Sequence, residues 1–575
     1  MGSIFFFLCA EADPERRQRS FDLGYWRSAP SSFPPAHDQR WMALRRFYRR
    51  EYFSRIWVVQ EVALATADPR VICGEHKTWW REVVDVAVFC HGQQGVLNTG
   101  LANYSFAAGL MGSIREWLAG AEGGYMLGML QLLRSTRRSK VTDPRDRLSA
   151  LYNLANDIAG GDGPVLKADY SKSVEKVYRS FVETMIRQSG NLHVLAHAGL
   201  HSRSSIEGLP SWVPDWSIDP GYVTLDNGVG SAGYTASSGG VGLVAISPDD
   251  AKLQLLAKSL GRVRSSTVLS EGWFTPIPEF RQPGALKALW TDVLRPLGDQ
   301  YVIGGSTADA FWRTLVGNQD QRGFPATDEY YIHFLSYWRT SRLGDLEAEA
   351  LGRTATSPTL TQETFDPDTY AAAQKRSEEA DFSTCEEREA HKRYFVKRLT
   401  ESGFPCLGRD AGDEAHDESC GSCGISNLPD FFTRICPLPP FRQDDPCLEM
   451  MDDPFIADWF HRLRTDEQEP LPVVTATGNA YSGTLTRTVR GRSFIVTEEG
   501  LVGLGPSNTE VGDFIVIIPG ANTPFIVRPS QAGEGTAGSF SLVGQAYVHG
   551  VMGGETLLVG GEDPSETVWE EIGLQ

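Results

Sequence analysis

The sequence predicts a multidomain protein of mixed class, α/β plus α+β, with a helical middle region and a small C-terminal β-barrel or sandwich. Three observations predict it. The chain has 575 residues, 41% hydrophobic and 22% charged, the composition of a globular protein that divides into roughly three or four domains. Apolar residues recur at helical spacing over residues 41–67 and again through 110–200. From residue 470 the pattern changes to short alternating strands separated by Gly and Pro turns, the signature of a small all-β module.

Taken in order, Ile4–Ala10 is an apolar run too short to cross a bilayer and reads as a covered strand. Pro30, Pro34 and Pro35 mark a loop. Trp41, Leu44, Phe47, Tyr48, Ile56, Val59 and Ala63 predict a helix that Pro69 stops. Val71–Gly74 reads as a strand and turn, and Trp79–Cys90 as a further helix. At Asp143 a helix start is expected, with Asp143 as N-cap, Pro144 in the first helical position and Asp146 in the first turn. Ser173 opens the next helix. Val174, Val177, Tyr178, Phe181, Val182 and Met185 form its apolar stripe, and Gly190 is its stop. Leu209–Trp216 must be extended, because Pro210 and Pro214 each disfavour helix at the preceding residue. Residues 225–260 alternate like strands, and 345–450 are charged, irregular and expected to be loop-rich or partly disordered. In the C-terminal module, strands are expected at Ser493–Thr497, Phe514–Ile518, Phe525–Val527 and Ser541–Val548. The division read from these patterns is 1–95, 96–220, 221–345, 346–465 and 466–575.

A formal net charge of -19 argues against non-specific nucleic-acid binding. The densest basic run, Arg134–Lys140, reads as a solvated loop. The nine cysteines are odd in number and irregularly spaced, unlike a secreted disulfide framework. With no apolar segment of membrane-spanning length, the expectation is a soluble, cytoplasmic chain. Cys406, Cys420, Cys423 and Cys436 are spaced C-x13-C-x2-C-x12-C, with His416 as a substitute ligand. Such a set is either a structural zinc site or reduced surface thiols, and its single C-x2-C pair favours the thiols.

Several stretches, in one order, resemble the fungal heterokaryon-incompatibility (HET) family. They are Phe53-Ser54-Arg55-Ile56-Trp57-Val58-Val59-Gln60-Glu61 followed by Val71-Ile72-Cys73-Gly74; Asp143-Pro144-Arg145-Asp146-Arg147; Asp169-Tyr170-Ser171 with Val177-Tyr178; Leu209 to Ser217; Phe311 to Leu315; and Gly512-Asp513, Pro524 to Arg528 and Val543 to Met552. The motifs that usually open a HET domain, of the types LSY-x-WG and WIDAICINQ, do not occur. The resemblance therefore implies a sequence that starts inside the domain, through an upstream coding segment left out or as a shortened paralogue.

The resemblance implies a fold and a chemistry. HET domains are similar to TIR domains, of flavodoxin-like α/β fold, so residues 1–95 are expected to be the later part of such a domain. Some TIR domains cleave NAD with a glutamate four residues beyond a tryptophan. Trp57 and Glu61 have that spacing, which puts both on one helix face. Glu61 would then stabilise the charge that builds on the ribose as nicotinamide leaves, with Trp57 packed beside it and Arg55 contacting phosphate. NAD would be the substrate; no cofactor is implied. The alternative is that Glu61 pairs with Arg50 or Arg55 and only orients the helix. The implied function is non-self recognition after hyphal fusion, leading to programmed cell death, with self-assembly or other HET or incompatibility proteins as partners. The alternative is a non-catalytic interaction protein or a truncated pseudo-member.

Overall fold

The computed structural model describes residues 39–92, 102–120, 128–160, 163–164, 168–200, 206–219, 221–225, 233–237, 243–247, 251–275, 281–320, 322–350, 353–356, 452–458, 478–530, 539–555 and 569–575. These fall into two compact units, 1–194 with 201–219, and 195–200 with 220–575.

The first unit is mainly helical among its described residues. The expected helix over 41–67 is instead α1 (Gln39–Tyr48), a 3-10 turn (Glu51–Ser54) and α2 (Ile56–Ala63). The break comes at Arg50 and Arg55, both extended in ψ. It turns Phe53 inward, where it meets the rings of Phe47 and Trp80. A hairpin follows, β1 (Arg70–Cys73) paired antiparallel with β2 (His76–Trp79), then α3 (Trp80–Gly92) and α4 (Ala102–Leu118). α4 packs on α1, α2 and α3. Gly112 lets it approach, since a Cβ there would enter the space of Val84. Arg115 on α4 donates to the carbonyls of Val62 and Ala65 (2.7 Å each), satisfying orphan groups at the end of α2.

Further along lie α5 (Met129–Ser135), the short α6 (Asp146–Ser149), a two-residue pairing of β3 (Ala159–Gly160) with β4 (Gly163–Pro164), and α7 (Val174–Ser189). α7 has the ends its sequence implies. Ser173 Oγ accepts from the Lys176 N–H, and Gly190 closes the helix at φ 65°. Leu209–Trp216 contains no helix or strand, and Trp212 and Trp216 are fully buried. The strands of this unit are antiparallel pairs among the described residues; the expected strand at Ile4–Ala10 lies outside them.

The second unit is built on one sheet: β5 (Leu243–Ile246), β6 (Leu253–Val268), β7 (Arg492–Thr497), β8 (Val502–Pro506), β9 (Phe514–Ile517), β10 (Phe525–Pro529), β11 (Ser539–Gln545), β12 (Tyr547–Val548) and β13 (Glu570–Leu574). The path β6–β13–β11–β10–β9 returns to β6 and closes a five-stranded barrel. The long strand β6 makes closure possible. Its first part pairs with β13, its middle with β9 across a bulge at Ser259–Gly261, and its last part with β7. Gly261 sits there at φ 124°, under the Glu499 carboxylate. Ile515, Ile517, Ile526, Val543 and Val263 are buried together as the barrel's apolar filling.

Beside the barrel, β7 and β8 back onto a second core. It is formed with a π-helical turn (Leu289–Leu294), α8 (Thr307–Leu315), α9 (Tyr330–Ala350) and α10 (Gly478–Val489). Trp290, Phe311, Phe334, Trp338 and Phe455 meet edge-on or tilted, with Phe311 and Phe455 stacked, at centroid distances of 4.8–6.2 Å. Phe455 and Ile456 belong to the charged stretch 346–465, yet both are buried; residues 357–451 and 459–465 of that stretch lie outside the described residues. Among the described residues no helix is long and apolar enough to cross a membrane.

Candidate functional site

Several runs of motif residues fold into joints. Around α6, Arg145 binds both oxygens of Asp143 (2.9 and 2.7 Å) and donates to the carbonyls of Tyr170 and Lys172. Tyr170 Oη donates to Asp146, and Tyr178 Oη to the carbonyl of Pro144. Asp143 is not the N-cap of a long helix. It caps the Arg145 N–H in a turn, and its carboxyl is held below its usual range by the Arg145 guanidinium. The buried Arg147 donates to the Thr136 carbonyl. From the basic run, Arg137 stacks over Trp216 and donates to the carbonyls of Ile218 and Asp215. One member of the expected solvated loop is thus structural, while Arg138 and Lys140 are exposed. Lys140 pairs by its backbone with the start of α2, its N–H donating to Ser54 and its carbonyl accepting from Ile56.

In the second unit the same holds. Arg313 on α8 donates to Asp309, Asn318, Asp328 and the Ala326 carbonyl, over the face of Trp312. Asp513 and Arg528 form a two-pronged pair at 2.8 and 3.0 Å, which raises the pKa of the guanidinium. Tyr547 Oη meets His549 Nδ1 at 3.1 Å. Burial lowers the His549 pKa to about 4, so the ring is neutral at pH 7.

Of the residues proposed to carry chemistry, Arg55 lies at the backbone pairing with Lys140, and Trp57 and Glu61 follow it on α2. Glu61 is exposed on α2, Trp57 is half-buried one turn before it, and Arg55, exposed, precedes the helix. Among the described residues Glu61 forms no ion pair, so neither Arg50 nor Arg55 holds it. Its charge instead bears on Tyr52, a neighbour the sequence reading did not single out. The Tyr52 phenol pKa is raised first by burial and then by Glu61. The carboxylate is exposed on α2 with no ion pair among the described residues. Cys406, Cys420, Cys423, Cys436 and His416 lie outside the described residues, and no group of His, Cys, Asp and Glu able to hold a metal occurs among the described ones.

Comparison with known proteins bears on the barrel. The family profile of the Het-6 beta-barrel domain matches residues 470–562. Residues 470–562 are thus similar to a domain of the fungal heterokaryon-incompatibility proteins. The chain is similar to heterokaryon incompatibility protein 6, OR allele, of Neurospora crassa, with 38% identity over 69 residues, 12% of this chain and 10% of that protein. The chain thus matches about a tenth of the length of this relative. No solved structure matches. The Het-6 match spans β7 to β12 but leaves out β6 and β13, two strands that close the barrel. β13 follows the match closely in sequence, whereas β6 comes from 253–268. Only its pairing reveals that it belongs there.

Proposed function

We propose that this protein acts in heterokaryon incompatibility, in the cytoplasm and through binding to other incompatibility proteins. The Het-6 barrel domain, together with the similarity to an incompatibility protein, carries this reading. The joints described above support a recognition role, because they use the motif residues to hold surfaces in place. Deleting the gene from one of two incompatible strains tests it: the expected result is a viable heterokaryon, and an unchanged rejection reaction removes the reading.

A second reading keeps the cell-death step within the chain, as NAD cleavage on α2 of a TIR-like domain. Its support is an exposed Glu61 with no ion pair among the described residues, one turn beyond Trp57. In that reaction water replaces nicotinamide at the ribose carbon, and the carboxylate stabilises the positive charge between bond breaking and water attack. Purified protein would release nicotinamide from NAD, and Glu61→Ala would abolish both release and killing on forced expression. Equal killing by Glu61→Ala removes this reading and leaves the first intact.

A further inference from the structure

The β1–β2 hairpin has two unlike faces. Val71, Cys73 and Thr78 are half-buried. Arg70, Ile72, Lys77 and Trp79 share the opposite face by register, with Arg70 opposite Trp79 and Ile72 opposite Lys77, and all four are exposed. Ile72 keeps 64% of its surface and Trp79 45%, and the Arg70 guanidinium lies 4.6 Å above the indole. This face carries two cations, two large apolar side chains and no carboxylate, on a chain whose net charge is -19. The nearby acids are engaged elsewhere: Glu82 accepts from Trp79 N–H and Thr78 Oγ1, and Asp68 from Arg81 N–H. Glu75 stands in the turn.

The backbone adds a second, independent feature. Trp80 N–H donates to the Pro69 carbonyl at 2.8 Å, so Pro69 and Trp80 are a hydrogen-bonded pair. Antiparallel ladders alternate, which makes the Arg70–Trp79 and Ile72–Lys77 pairs the non-bonded ones and turns their N–H and C=O groups outward. On the β2 edge the Trp79 N–H is taken by Glu82. On the β1 edge the main chains of Arg70 and Ile72 have no partner among the described residues.

We propose that the outer edge of β1 and the Arg70–Ile72–Lys77–Trp79 face form a docking site for an extended acidic segment of a partner protein. The segment pairs with the backbone of Arg70 and Ile72. It sets carboxylates against Arg70 and Lys77 and an apolar side chain against Ile72 and Trp79. A backbone edge without a partner among the described residues favours a peptide over a lipid surface, which has no use for main-chain hydrogen bonds. This site stands independently of the incompatibility reading and of Glu61.

The test uses the full chain and two short fluorescent peptides, one alternating Glu with Val and one alternating Lys with Val, followed by anisotropy. The Glu peptide binds and the Lys peptide does not, and binding weakens as salt is raised. Lys77→Glu weakens it by about tenfold. Ile72→Pro, which removes an outward N–H and no hairpin bond, also weakens it. Both variants are exposed and keep the wild-type melting curve; if Ile72→Pro does not, Lys77→Glu decides alone. Equal binding of the two peptides, binding of neither, or a Lys77→Glu variant that binds as wild type overturns the proposal. So does capture by phosphatidylserine vesicles in place of the Glu peptide, which would make the face a membrane contact.

Discussion

Asp345 holds two guanidiniums at once. One oxygen accepts from Arg281 Nε at 2.7 Å, the other from Arg342 at 2.5 Å, and all three side chains are nearly excluded from water. Removing the carboxylate leaves the buried Arg281 without its counter-charge and Arg342 with only Asp453, 4.0 Å away, a loss of about 3 kcal/mol. Asp345→Ala should therefore unfold the second unit at clearly lower denaturant, and an unchanged midpoint would refute this account. His549 gives a prediction in pH. Its folded pKa of about 4 lies below the unfolded value near 6.5, so the unfolded chain takes up the proton first. Its contribution is complete above pH 6.5 and is lost as pH falls through about 4, amounting to on the order of 3 kcal/mol. Denaturation curves across that window should separate wild type from His549→Asn, whose curve lacks this slope.

Among the elements, α7 shows how far local signals reach. Ser173, the stripe Tyr178–Phe181–Val182–Met185 and Gly190 give it a start, a buried face and a stop. Ser173→Ala should cost about 1 kcal/mol through the lost cap. Gly190→Ala, forced to φ 65°, should cost a similar amount. Chemical denaturation of the two variants checks both. The stretch 41–67 is the counterexample. Its apolar spacing continues through Arg50 and Arg55, but the backbone is extended at both, and Phe53 packs against Phe47 and Trp80. The Ser54–Ile56 backbone then pairs with Lys140 instead. Periodicity reports which residues are apolar; it does not report the kink that lets them meet.

At the scale of the molecule, the barrel depends on a strand far from the rest of it in sequence. Without β6 the strands β9 and β13 have open edges and the circuit cannot close. A fragment of residues 466–575 should aggregate or melt without a cooperative transition. Joining residues 243–275 to it through a flexible linker should restore one. A cooperative melt of the shorter fragment would show that closure by β6 is dispensable.

Local chemistry made much of this protein legible in advance. The strands expected at Ser493–Thr497, Phe514–Ile518 and Phe525–Val527 are present because alternation and turn residues act within a few positions, whereas Ser541–Val548 is two strands, β11 paired with β10 and β13 and β12 paired with β8. The caps of α7 are present for the same reason. The motifs resembled the incompatibility family, a resemblance that the Het-6 barrel match at 470–562 supports, and the Trp57–Glu61 spacing placed both residues on one helix. Three features had to await the fold. One is the pairing of β6 with β13, β9 and β7; another is the sharing of Asp345 between Arg281 and Arg342. The third is that Tyr52, rather than Arg50 or Arg55, stands beside Glu61. Each joins residues through space, and a long-range contact is stabilised by burial and charge pairing that leave no periodic trace in the order of the amino acids.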